Sequence, residues 1–161
     1  MFDIASGPDT LRLLAIPFFA YIAWIDIRTR RVPNRLWYPI GALAIVLLVW
    51  DLYRVSTGDL TPTGRQQFYT RTMLSLVFVV SLGYLFWRIG GFGGADAKAF
   101  FVLAALFPTY PSYELLGLSL PMVETDIGVF SLTIITNTVL LGVLYPVCLT
   151  VRHAAAGERP A

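Results

Sequence analysis

Gly90-Gly91-Phe92-Gly93-Gly94-Ala95-Asp96 places four glycines in five positions between two apolar runs and ends on a carboxylate. The run before it covers about 73–89 and the run after it 97–107. A bilayer core takes about 20 apolar residues to cross as a helix. Working outward, three further runs approach that length, at about 11–25, 36–52 and 127–151. The stretch holding Pro108, Pro111 and Pro121 reads as an irregular or interfacial excursion, and its Leu115 to Leu120 piece is too short to span. Ser56 to Gly64 reads as a solvated, turn-rich loop. The expected fold is therefore all-α: a polytopic transmembrane helix bundle of about five spans, forming a single membrane-embedded domain over 1–161.

Composition points the same way. Of the 161 residues 57% are hydrophobic and 14% charged, whereas an ordinary globular domain has about 25% charged residues. A soluble protein of this size has too much surface for its volume to hide that apolar content. The net charge of +2 is too small to suggest a nucleic-acid partner. Cys148 is the single cysteine, so there is no disulfide framework and no CxxC metal site. The first run has an acidic approach (Asp3, Asp9) and no small-residue cleavage site, and reads as a retained helix.

With five spans, one side of the membrane holds Arg28, Arg30, Arg31, Arg35, Arg88, Lys98, Arg152 and Arg159, eight of the twelve basic residues. The positive-inside rule puts that side in the cytoplasm and the N-terminus outside. Asp26 and Asp96 then both stand at cytoplasmic ends of spans. Trp24, Trp37, Tyr38, Trp50, Tyr53, Tyr84 and Trp87 lie near span ends and read as interfacial anchors.

An Asp at the edge of hydrocarbon is costly to ionise and calls for a functional reason. Two carboxylates on different helices at similar depth meet the requirement for aspartyl protease chemistry, in which the pair shares one proton. Blander readings exist for each. Asp26 alone could be a helix-boundary residue neutralised by Arg28 or Arg30, and Asp96 alone an N-cap. The glycines do not form a nucleotide loop, because GxGxxG fails in register. The arginine cluster is a topology signal, with anionic headgroups as its other possible contact.

The segment Asp26-Ile27-Arg28-Thr29-Arg30-Arg31-Val32-Pro33-Asn34 resembles the first-aspartate segment of the type IV prepilin peptidase family, D-x-R-x-x-x-[IV]-P-N/D. Gly93-Gly94-Ala95-Asp96-Ala97-Lys98 resembles the second, GxGD followed by x-K. The resemblance covers roughly residues 10 to 150 and is nearest the archaeal branch, which processes preflagellins and pilins. It implies catalytic Asp26 and Asp96, with Gly93, Gly94, Ala95, Lys98, Pro33 and Asn34 as supporting loop residues. It also implies a multi-pass cell-membrane endopeptidase that cleaves class III signal peptides at the cytoplasmic face without cofactor or metal. Ala95 stands where the family motif has glycine, which implies a little less freedom before Asp96. The chain lacks the paired CxxC motifs of dual-function members, so an N-methyltransferase activity is not expected. The family commonly has six spans; the sixth would lie in Tyr113 to Met122 or beyond the C-terminus. Two other readings share some of these features: a presenilin-like protease cutting within the bilayer, and a non-enzymatic transporter whose Asp pair carries protons or cations.

Overall fold

The structure is a computed structural model that describes residues 7–58, 60–115, 117–123 and 125–155. Among these residues it is helical, with one small hairpin. The chain divides into two compact units, Met1–Ser131 and Leu132–Ala161. Four stretches are long and apolar enough to cross a membrane: Gly7–Thr29, Asn34–Thr57, Pro62–Arg88 and Phe130–Ala155. The expected fourth span at 97–107 is a helix of 13 residues, Gly94–Leu106, shorter than these four. A multi-pass membrane protein is therefore what the chain forms, with four long helical stretches and this shorter helix among the described residues.

The first span is two helices, α1 (Gly7–Arg12) and α2 (Ala15–Thr29). Pro17 has no N–H to give to the Leu13 carbonyl, so the ladder cannot run unbroken through that turn. α2 continues past Asp26 to Thr29, one turn beyond the expected end of the run. It closes at Arg30, whose left-handed backbone (φ 54) lets its N–H reach the Asp26 carbonyl at 2.8 Å. A single 3-10 turn, Asn34–Leu36, leads into α3 (Trp37–Thr57).

The third span begins much earlier than its apolar run. α4 (Pro62–Met73) starts inside the segment expected to be loop. Thr61 is its N-cap, accepting the Gly64 N–H at 3.1 Å, and Pro62 occupies the first turn, where a missing N–H costs nothing. A π-helical segment, Leu74–Val79, joins α4 to α5 (Val80–Arg88). Its Ser75 is fully buried; the hydroxyl lies 2.7 Å from the Ala104 carbonyl and 2.7 Å from the Ser131 hydroxyl. In an apolar interior such groups must satisfy one another.

The short helix, α6 (Gly94–Leu106), packs against α3, α5 and the π segment. At its tightest point a Cβ on Gly83 would stand 2.8 Å from Phe100 Cβ, so the absence of a side chain there is what permits the α5–α6 approach. Among the described residues of 113–122 there is no helix and so no sixth span. Tyr113–Leu115 (β1) and Leu118–Leu120 (β2) form an antiparallel hairpin in register Tyr113↔Leu120, turned at Gly117 with φ 81. The last helix, α7, runs Phe130–Ala155. In the unit Met1–Ser131 Leu47, Leu106, Val79 and Val129 are the largest fully buried aliphatic side chains.

Trp24, Tyr38, Trp50, Tyr53, Tyr84 and Trp87 are exposed, as anchors should be. Trp37 is not an anchor: it is 6% exposed and packs edge-on against Phe19.

Candidate active site

Asp26 stands one turn beyond Ile22 on α2. Ala15 and Ile22 are buried, and Phe19 touches Trp37, so 15, 19, 22 and 26 mark the stripe of α2 that faces the bundle. The Asp26 side chain itself is exposed and makes no ion pair or hydrogen bond among the described residues. The guanidinium of Arg28 lies 4.7 Å from the Trp24 ring centre on the outward side. Neutralisation of Asp26 by Arg28 or Arg30 is thus not what the structure contains.

Asp96 is built by the glycine segment. α5 ends in a complete Schellman turn: Gly90 takes φ 77, the Gly91 N–H bonds the Phe86 carbonyl at 2.8 Å, and the Gly90 N–H bonds that of Trp87 at 3.1 Å. Of the four glycines, Gly90 is the one whose conformation other residues avoid. Phe92 then tucks between Phe86 (4.8 Å) and Phe100 (5.0 Å), tying the loop to both flanking helices. Gly93 is the N-cap of α6 in extended conformation. Asp96 is therefore not the N-cap but the third helical residue, and its Oδ2 accepts the Gly93 N–H at 3.0 Å. Glycine has no side chain to return the bond, so this is one limb of a capping box. Oδ1 has no hydrogen-bond partner among the described residues.

Ala95 lies inside the first turn of α6 beside Gly94, where alanine is the better helix former. The departure from glycine there removes no freedom that the loop uses. Pro33 is extended (φ −62, ψ 138) and delivers Asn34 to the start of the second spanning helix. There Asn34 meets Lys98: Lys98 Nζ donates to Asn34 Oδ1 at 2.5 Å. The two aspartates do not hydrogen-bond each other. What the structure brings together is Asn34 and Lys98, one from each aspartate's segment.

A second polar cluster was not foreseen. Arg12, 4% exposed, donates from Nε to the Leu106 carbonyl at 2.7 Å and from its two terminal nitrogens to Asp9 and Asp51. The Ser112 N–H and the Tyr113 hydroxyl reach Asp9 at 3.3 and 3.1 Å. This cluster sits at the opposite end of α6 from Asp96 and borders a cavity of about 630 Å³ that also includes Arg54, Phe68 and Tyr110. Asp9 and Asp51 are far apart in sequence, and no local pattern pairs them with Arg12. Among the described residues no group of His, Cys, Asp and Glu is arranged to hold a metal ion.

A family model described as the type IV leader peptidase family matches residues 13–147. The prepilin peptidase EppA of Methanothermobacter thermautotrophicus is 28% identical over 123 residues, which is 74% of this chain and 29% of that protein. The preflagellin peptidase of Methanococcus voltae is 29% identical over 138 residues, 84% of this chain and 54% of that protein. The chain thus spans about three-tenths of the length of the first relative and about half of the second. No solved structure matches it.

Proposed function

The chain belongs to the type IV leader peptidase family, and on that premise we propose that it is a membrane aspartyl endopeptidase. Its substrates would be prepilin- or preflagellin-like proteins, as the names of both relatives suggest; the motif resemblance adds a basic leader before a hydrophobic helix. Asp26 and Asp96 are the proposed catalytic pair. One carboxylate, ionised, takes a proton from water as that water attacks the scissile carbonyl; the other, protonated, donates to the carbonyl oxygen. The tetrahedral diol then collapses as a proton passes to the departing amine. Acid and base are roles within the pair, and either carboxylate is able to take either role.

The observation that carries this reading is the Asn34–Lys98 hydrogen bond, which ties the Asp26 segment to the Asp96 segment in a chain where both carboxylates are unneutralised by any cation within 4.0 Å among the described residues. The exposed aromatic residues Trp24 and Trp87 support an interfacial cut rather than one deep in the bilayer. They lie within a helical turn or so of Asp26 and just before the glycine loop, and such rings settle at headgroup level. The basic residues that flank the two aspartates (Arg28, Arg30, Arg31, Arg35, Arg88 and Lys98) support a cytoplasmic position for that end.

The test is cleavage of a prepilin-like and a preflagellin-like substrate by protein reconstituted in liposomes. The parent should release the leader, whereas folded Asp26→Asn and Asp96→Asn should each lose activity by about 10³-fold or more, as expected when one member of a two-carboxylate device is removed. Full activity in either variant removes that aspartate from the mechanism.

A further inference from the structure

Lys98 and Asn34 are separated by 64 positions, yet the ammonium donates to the amide oxygen. An ammonium has donors only, so the amide atom facing it must be the acceptor. We infer that this pair is a positioning latch that sets the Asp26 segment against the Asp96 segment and thereby fixes the approach of the two carboxylates. The inference rests on the catalytic assignment above.

Each aspartate is held firmly to its own side of the latch. The Asp26 carbonyl is capped by the Arg30 N–H at 2.8 Å, and the short stretch from there to Asn34 passes through Pro33, whose φ is fixed by its ring. Asp96 is bonded to the Gly93 N–H, and Lys98 follows it by two residues in the same helix. Neither half has much internal slack. Among the described residues, no other hydrogen bond joins residues 26–36 to residues 90–98. The relative height of the two segments therefore depends on this contact and on the packing of the helices behind it.

The amide has a second consequence. A lysine beside a carboxylate ordinarily pairs with it, and a contact cation on one member would fix its charge and oppose the sharing of a proton. Lys98 lies within 4.0 Å of no described carboxylate. Asn34 occupies one of its three donors with a neutral acceptor and keeps the ammonium near the dyad but off it.

The experiment compares the parent with Asn34→Leu, Lys98→Met, the double variant and Asn34→Asp, which keeps an acceptor for the ammonium. Steady-state cleavage is measured in liposomes, and folding is checked by thermal unfolding in detergent. A positioning role predicts that each single variant lowers kcat by about tenfold or more, about 1.4 kcal/mol in the barrier, with KM within about twofold of the parent. The double variant should be no slower than the worse single, because both remove the same contact. Asn34→Asp should stay within about threefold of the parent. Single variants with parental kcat, a change confined to KM, or multiplicative losses in the double variant would each overturn the latch.

Hydrogen exchange supplies an arm that does not depend on activity. Lys98→Met should speed amide exchange in residues 30–36, and Asn34→Leu in residues 93–98. Unchanged exchange across the contact overturns the latch even if activity falls. Faster exchange in a protein whose parent form cleaves no leader overturns the peptidase assignment instead and leaves the contact between the segments standing.

Discussion

Arg12 Nε donates to the carbonyl oxygen of Leu106 at 2.7 Å, so the helix that carries Asp96 in its first turn is capped at its last turn by a guanidinium from α1. The last carbonyls of a helix have no partner within it, and a cation there satisfies one while opposing the negative end of the helix dipole. One side chain thus closes the far end of α6 and neutralises Asp9 and Asp51 at once.

Arg12→Met should consequently be among the more damaging substitutions outside the aspartate segments. It leaves two carboxylates, both largely buried, without their cation, and breaking a buried pair by removing one partner costs about 3–5 kcal/mol. The expected result is a marked drop in the thermal unfolding midpoint in detergent, partly restored by adding Asp9→Asn and Asp51→Asn. A variant that unfolds with the parent would show the cluster to be energetically idle.

Gly83→Ala tests the α5–α6 approach. The new methyl would meet the rigid Cβ of Phe100 at 2.8 Å, and the helices must separate to accept it. Overpacking of this kind costs about 1–3 kcal/mol. Because Phe100 is one turn from Asp96, cleavage should fall together with stability. A variant with parental activity and midpoint would mean that α6 shifts freely, which contradicts its packing on three neighbours.

Arg30→Gly should act in the opposite direction. A left-handed backbone costs a non-glycine residue about 1–2 kcal/mol, and the extra freedom of glycine in the unfolded chain returns about 0.5–1 kcal/mol of that. The net expectation is a stabilisation of about 0.5–1 kcal/mol with the α2 cap preserved. Thermal unfolding of the reconstituted variant measures it directly, and a lower midpoint would show that the Arg30 side chain holds something that outweighs its strained backbone.

Tyr113 gives a pH dependence. Burial, and after it the negative charge of Asp9, raise its phenol above the ordinary 10.0, with Arg12 opposing. The folded state therefore binds this proton more tightly than the unfolded chain. Its contribution is fully present below about pH 10 and is lost as pH rises through the raised folded value. Between about pH 9 and 11 the parent should lose more stability than Tyr113→Phe, which has nothing to titrate there. Parallel alkaline profiles would remove Tyr113 as the cause.

The sequence carried the aspartates, the turn at Pro33 and the glycine segment, because each is a local signal: a charge at an apolar boundary, a fixed φ, a run without side chains. It carried the long helices for the same reason. It misplaced the start of the third span because Arg65, Gln66 and Gln67 make α4 polar, and hydropathy outweighed the Thr61-Pro62 start signal. Tyr113–Leu120 is apolar enough to suggest a hidden helix, but Gly117 at φ 81 turns it into a hairpin. Trp37 was misread because its neighbours in sequence lie at a span end, while its burial comes from Phe19, eighteen positions away. Arg12 with Asp51, and Ser75 with Ser131, are contacts of the finished bundle that no periodicity encodes.

The shortness of α6 has a consequence for the protein around it. Thirteen residues at about 1.5 Å each give a rod of about 20 Å, some 10 Å less than the hydrocarbon of an ordinary bilayer. Capped by Arg12 at one end and by the Gly93–Asp96 turn at the other, it cannot lengthen. From Ala97 to Leu106 none of its residues is exposed, so its neighbours α3, α5 and the π segment cover it, and the shortfall in length is taken up inside the protein.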